Sequence, residues 1–228
     1  MCGRYTLGRQ PDALLDYFHL HGIVPTYHLS WNIAPSQSAP VIIHNNEQQR
    51  ICQLMRWGLV PAWSSGPDSR FTMINAKAET IDEKPAYKKA FQSRRCLIPC
   101  DGFYEWQTSS VKRQTAKQPY YICKQDRSLF ALAGIWESWQ GSGESQPLTS
   151  FSIITTDATP FMQDIHHRMP VILSPDLFDS WLSETNNNPG KLKSLLRPYA
   201  ADDLIKHPVS RAVNSPKNDS AELIEAVS

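Results

Sequence analysis

Arg95-Cys96-Leu97-Ile98-Pro99-Cys100-Asp101-Gly102-Phe103-Tyr104-Glu105-Trp106-Gln107 is the stretch whose reading decides the fold class. Residues 95–99 and 103–107 are short and rich in apolar and aromatic side chains. The intervening Cys100-Asp101-Gly102 carries turn residues. The pattern predicts two strands around Cys100-Asp101-Gly102. Just upstream, residues 85–94 predict a helix, with Pro85 at its start and Tyr87, Ala90 and Phe91 on one face. Farther upstream, 40–44 and 50–57 read as strands joined by Asn45-Asn46-Glu47-Gln48-Gln49, a hairpin signature. Residues 2–7 read as an opening strand. Residues 11–20 form an amphipathic helix begun by Pro11, carrying Leu14, Leu15 and Phe18, and ended by Gly22. Downstream, 120–124 and 129–137 predict a second hairpin through Gln125-Asp126-Arg127-Ser128, and 148–156 is a strong strand. Residues 159–165 predict a short helix, 166–170 a turn and 171–173 a strand. Ser174 and Pro175 open a helix with Leu177, Phe178, Trp181 and Leu182 inside, and 191–196 is a last short helix. Many short strands with a few helices between them predict one α+β domain over 1–228. It is mainly antiparallel sheet, barrel-like, with a few flanking helices.

Composition narrows the function. Lys and Arg exceed Asp and Glu by one, a formal net charge of +1, so a nucleic-acid partner must be held by a local patch, not a global field. The five Cys are odd in number and no signal peptide or membrane-length apolar run is seen, which points to a reducing, cytoplasmic setting. Cys96 and Cys100 lack a second pair at zinc-site spacing, and on a strand both face one side as small buried residues. No helix-turn-helix, Gly-rich phosphate loop, H-E-x-x-H or G-x-S-x-G is present.

Several residues remain as candidates for chemistry. Removal of Met1 would leave Cys2 with an α-amine and a thiol on adjacent carbons, with ordinary pKa values of about 7.7–8.0 and about 8.5. That pair can hydrolyse an amide with the amine as base, or condense with an aldehyde and close a thiazolidine ring. Glu105, among Phe103, Tyr104 and Trp106, is either a desolvated proton-transfer group or a solvent-facing strand residue. His166 and His167 are either a proton shuttle or an exposed turn pair. Asn75 either orients a substrate or caps a turn. The cations Arg4, Lys77, Arg94, Arg95, Arg168, Arg211 and Lys217 are either a solvated surface or, with Trp31, Trp57 and Trp63, a groove for a single strand.

Taken in order, Met1-Cys2-Gly3-Arg4-Tyr5, Trp31-Asn32-Ile33-Ala34-Pro35, Trp57-Gly58-Leu59-Val60-Pro61, Ile74-Asn75-Ala76-Lys77-Ala78-Glu79-Thr80, Arg95-Cys96-Leu97-Ile98-Pro99, Asp101-Gly102-Phe103-Tyr104-Glu105-Trp106, Asp164-Ile165-His166-His167-Arg168-Met169-Pro170 and His207-Pro208-Val209-Ser210 resemble the successive blocks of one family. That family is the SOS-response-associated peptidases (SRAP), or abasic-site processing proteins. The resemblance implies binding to single-stranded DNA and capture of an abasic site by the N-terminal Cys as a thiazolidine cross-link that shields the lesion. It implies lyase-type Schiff-base chemistry, and a peptidase activity tied to removing what precedes the Cys, here only Met1. Carried over, Cys2 is the nucleophile and Asn75 orients the opened sugar and the α-amine. Glu105 moves protons during Schiff-base formation, and His166 acts on the sugar oxygen. Arg4, Asn32, Trp63, Lys77 and Arg168 line the DNA groove. The implied partner is single-stranded DNA containing abasic sites. No membrane, metal or organic cofactor is implied, and a monomer is expected. Two departures stand out: Lys77 occupies a position often held by Arg, and Ser64 follows Trp63 where a second aromatic can stand. The rival readings are an N-terminal-Cys amidohydrolase, a non-catalytic single-strand binding module, and a peptidase acting on other proteins.

Overall fold

Five strands close on themselves. β3 (Ser38–His44) and β4 (Arg50–Trp57) form the predicted hairpin, paired from Ser38↔Arg56 to His44↔Arg50. β6 (Arg95–Cys100) joins β3 at Ile42↔Leu97, and β9 (Phe130–Trp139) runs antiparallel to β6. β10 (Leu148–Asp157) pairs with β9 and returns in parallel to β4 at Ser150↔Arg56 and Phe151↔Trp57. Closure pairs the edges that an open sheet would expose. The computed structural model describes residues 2–67, 72–107, 117–141, 146–199 and 202–227. Met1, most of the polar stretch 108–118, most of the tip 141–146 and the end of the loop 64–70 lie outside the described residues.

A second, antiparallel sheet has the order β13 (Leu204–Pro208), β8 (Gln118–Lys124), β7 (Gly102–Gln107), β1 (Arg4–Leu7), β2 (Ser30–Ile33). Every residue of β6 is buried, so both faces of this barrel strand are covered. α2 (Pro85–Ser93), the later helix α4 (Phe178–Leu182) and β1 pack against it. The chain passes between the two sheets at β6–β7 and again at β8–β9, and the second passage changes an expectation. β6 and β7 do not fold back on each other: the chain leaves the barrel at Cys100 and enters the second sheet at Gly102. Likewise β8 and β9 sit in different sheets, so residues 125–128 form a crossover and not a hairpin turn. A turn signature reports a change of direction, and partner choice is settled by which buried faces must be covered.

Smaller differences have local causes. α1 (Pro11–Phe18) ends at His19, which adopts the left-handed conformation (φ 49°) and donates its N–H to Asp16. Gly22 (φ 80°) lies in the turn beyond. Residues 166–170 include a strand, β11 (Arg168–Pro170), because β10 parts from β9 after Ile153↔Gly134 and takes β11 as a partner at Asp157↔Arg168. β12 (Ile172–Leu173) then pairs with β9. α3 (Pro160–Gln163) is shorter than predicted, and Ser174 precedes a 3-10 turn (Pro175–Leu177) with no side-chain cap. α5 (Pro189–Leu195) is capped by Asn188, which accepts from Lys191 N–H. An unpredicted strand, β5 (Asn75–Lys77), lies parallel to β10 with Ile153↔Asn75 and Thr155↔Lys77. Among the described residues no helix is long and apolar enough to cross a membrane.

Candidate active site at the amino terminus

β1 is short, and its start carries Cys2 into the space between the two sheets. Cys2 is fully buried. Its carbonyl accepts from Asn75 Nδ2 at 2.8 Å, and its thiol faces Arg4 O at 3.8 Å. β1 runs against β7 with Arg4↔Tyr104 and Tyr5↔Phe103, so one step beyond the ladder the chain reaches the level of Glu105. Glu105 is 2% exposed, which settles its orientation: it faces inward. Burial raises its carboxyl pKa, opposed by the positive charge of the chain's amino terminus. Burial pushes the Cys2 thiol far up as well, and the Glu105 charge adds to that. The Cys2 thiol is therefore protonated at neutral pH.

Asn75 arrives on β5 from the barrel side. Its Oδ1 is buried and has no hydrogen-bond partner among the described residues, so an acceptor is held open beside Cys2. Its backbone carbonyl accepts from Tyr87 OH on α2 at 3.2 Å. His166 comes from the turn before β11. Arg168 N–H donates to His166 Nδ1 at 2.9 Å, which assigns the neutral ring's proton to Nε2. Burial first, then the positive amino terminus and the stacked His167 ring at 4.4 Å, lower the His166 pKa to about 4. His166 and Glu105 share an electrostatic neighbour, Lys117. Cys2, Asn75 and Glu105 are thus brought together, and His166 borders the same centre.

The five residues expected to line a groove divide. Lys77 is exposed, and Trp63 is 70% exposed. Arg4 is half-buried, donating to Val213 O at 2.9 Å and Asn32 Oδ1 at 3.3 Å. Asn32 is 1% exposed, with Nδ2 donating to the carbonyls of Val213, Ser215 and Asn218. Its place is behind Arg4, tying the C-terminal segment down. Arg168 is 6% exposed. Its guanidinium is held by Glu79 at 2.7 and 2.9 Å, by Asp157 at 2.8 Å and by Thr155 O at 2.7 Å. These carboxylates neutralise it, so it braces β11 against β10 and the turn after β5 instead of offering charge to solvent. Trp57 is also fully buried, edge-on to Tyr5 at 5.2 Å and donating to Ile74 O, so it stacks on protein and not on a ligand.

Two adjoining hollows make a surface path to Asn75. One, of about 420 Å³, is lined by Ser36, Arg56, Trp63, Ser64 and Met73. The next, of about 360 Å³, is lined by Met73, Asn75, Lys77, Thr80, Lys84 and Tyr87. Met73 belongs to both. The sequence reading did not single out Arg56 or Lys84, and named Tyr87 only as a helix-face residue. Lys84 and Tyr87 flank Pro85 in a segment read only as a helix start, so spacing from Lys77 was the one available signal. Among the described residues no group of three or more His, Cys, Asp or Glu converges to hold a metal ion. The arrangement offers a thiol, a buried carboxyl, a neutral imidazole and an open amide acceptor, groups that can exchange protons.

Comparison with known proteins agrees with this architecture. A family model described as SOS response associated peptidase (SRAP) matches residues 1–216. The abasic site processing protein YoqW of Bacillus subtilis is 45% identical, over 99% of this chain and 100% of its own. The abasic site processing protein HMCES of Gallus gallus is 34% identical, over 87% of this chain and 66% of its own. A crystal structure of a Bacteroides thetaiotaomicron protein superposes with a TM-score of 0.86 at 24% identity, covering 99% of this chain and 100% of that one.

Proposed function

The chain belongs to the SOS response associated peptidase family, and from that membership we propose that it captures abasic sites in single-stranded DNA through Cys2 once Met1 has been removed. The observation that carries the reading is the meeting of Cys2, Asn75 and the buried Glu105 at the start of β1. An abasic sugar in its open form presents an aldehyde. The freed α-amine adds to the carbonyl carbon, and loss of one water gives the imine. The Cys2 sulfur then adds to the imine carbon while the thiol proton passes to nitrogen, closing a five-membered thiazolidine. The balance is one protein plus one aldehyde giving one adduct and one water.

Each step asks for a group the site contains. Glu105, its pKa lifted by burial, takes the proton from the ammonium and returns one to the departing hydroxyl. Because the Cys2 thiol is protonated, ring closure needs the same carboxylate as a relay. Asn75 Oδ1 accepts from the α-amine and holds it toward the aldehyde. His166, neutral with Nε2 as donor, assists opening of the sugar ring at its oxygen. Lys77 and Arg4 hold phosphates and Trp63 stacks on a base. Lys77 is a point charge where a guanidinium would grip with two donors, and Lys84 in the same hollow supplies a second cation.

Denaturing electrophoresis of the Met1-trimmed protein with an abasic oligonucleotide tests the proposal. A shifted band that survives heat and denaturant is expected. A complex that falls apart completely would leave only a non-covalent single-strand binder.

A further inference from the structure

β1 needs more than its ladder to keep its register. It is a short strand, and its pairing with β2 is irregular between Tyr5 and Leu7. A slip of two residues moves a strand by about 6.8 Å, and a slip of one turns every side chain to the opposite face. Either would carry Cys2 away from Asn75 and Glu105. At the far end of the strand, Asp101 gathers β1 at several points. Its Oδ1 accepts from Thr6 Oγ1, and its Oδ2 accepts from Gly8 N–H at 2.8 Å. Its own N–H donates to Thr6 O at 3.1 Å, and Arg9 Nε lies 3.8 Å from Oδ2. Tyr121 OH, from β8, reaches Asp101 O at 3.2 Å and Thr6 Oγ1 at 3.1 Å.

The surroundings leave no slack. A Cβ on Gly8 would stand 2.9 Å from Trp31 Nε1, and one on Gly102 would stand 2.2 Å from the Tyr121 ring. Thr6 and Tyr121 are buried. Asp101 also sits where the chain passes from barrel to second sheet, so one side chain ties the crossover to the strand that bears the nucleophile.

We propose that Asp101, acting with Thr6 and Tyr121, is a positioning residue for Cys2: it locks the register of β1 so that the N-terminal nucleophile meets Asn75 and Glu105. This rests on the capture chemistry proposed above. Asp101 touches neither DNA nor the reacting atoms in this account. Its main effect is on the rate after binding, with a smaller one on affinity through Arg4, which β1 also carries.

The test uses the full, Met1-trimmed chain and two measurements. Non-covalent affinity is read with a single strand carrying tetrahydrofuran, an abasic analogue without an aldehyde. The cross-linking rate is read at saturating protein with a true abasic strand. Asp101→Asn places an amide donor against Thr6 Oγ1 or Gly8 N–H. It should lower the rate about 10–100-fold, the scale of a misplacement near 1 Å, well beyond the weaker loss of affinity that follows from shifting Arg4 on the same strand. Thr6→Val should do the same and Thr6→Ser should keep the wild-type rate, which guards against a variant that does not fold. Reaction of the N-terminus with free glyoxylate should slow in parallel. Wild-type rates in both Asp101→Asn and Thr6→Val, or losses that only follow affinity, would overturn the inference. A wild-type protein that makes no adduct at all would instead remove the proposed function on which it rests.

Discussion

Glu105→Gln should make the protein more stable and less active at once. The carboxyl is 2% exposed and its pKa is raised by burial. A group whose folded pKa lies above its unfolded value, about 4.3 for Glu, costs no stability below that value. Stability is then lost as pH rises through the folded pKa. Each unit of upward shift corresponds to about 1.4 kcal/mol between the two protonation states. Gln has nearly the same shape and no charge to bury. Thermal melts should therefore show the variant matching wild type near pH 4 and exceeding it at pH 8. The same substitution would remove the proposed proton relay between ammonium, hydroxyl and thiol. A positioned acid–base group contributes about 10²–10⁴-fold, or about 2.7–5.4 kcal/mol of barrier. Single-turnover cross-linking should slow by that factor while affinity for an abasic analogue holds. A variant that cross-links at the wild-type rate, or that melts lower than wild type at pH 8, would refute the assignment of a buried, working carboxylate.

Other changes separate the remaining parts. Cys2→Ser keeps the amine but loses the thiol, so the imine should form, be trapped by borohydride, and otherwise hydrolyse or cleave the strand weakly; an adduct as durable as wild type would contradict this. Lys77→Ala should weaken single-strand binding and flatten its log–log salt dependence by about 0.7, and an unchanged slope would put Lys77 outside the phosphate path. Gly102→Ala should cost about 1–3 kcal/mol of stability in urea unfolding, because its Cβ would stand 2.2 Å from the buried Tyr121 ring; a neutral change would mean that β8 yields there.

What the sequence disclosed was mostly local. The hairpin of β3 and β4 was readable because its turn residues and both apolar strands are contiguous. Pro11 and Pro85 marked helix starts for the same reason. The pairing of β7 with β1 was not readable: Phe103 meets Tyr5, 98 positions earlier in the chain. Glu105 shows the same limit. Alternation along a strand allows either face, and the register against β1 turned it inward. Arg168 reads as a free cation until Glu79, 89 positions away, is seen to hold it. Asn32 reads as a groove residue until its amide is found tied to the carbonyls of Val213, Ser215 and Asn218. The family resemblance named Cys2, Asn75, Glu105 and His166. The approach of Cys2 to Asn75 and Glu105 at the start of β1 required the two sheets to be assembled first.

The central claim is that the α-amine and thiol of Cys2 act together, and intact mass spectrometry of the DNA adduct tests it most directly. The Met1-trimmed protein, incubated with an abasic single strand, should give one species at the sum of the two masses less one water. Protein in which Met1 is retained should give none, because the Cys2 nitrogen is then an unreactive amide. A stable adduct at Cys2 in the Met1-retaining protein would mean that the thiol acts alone, contradicting the account.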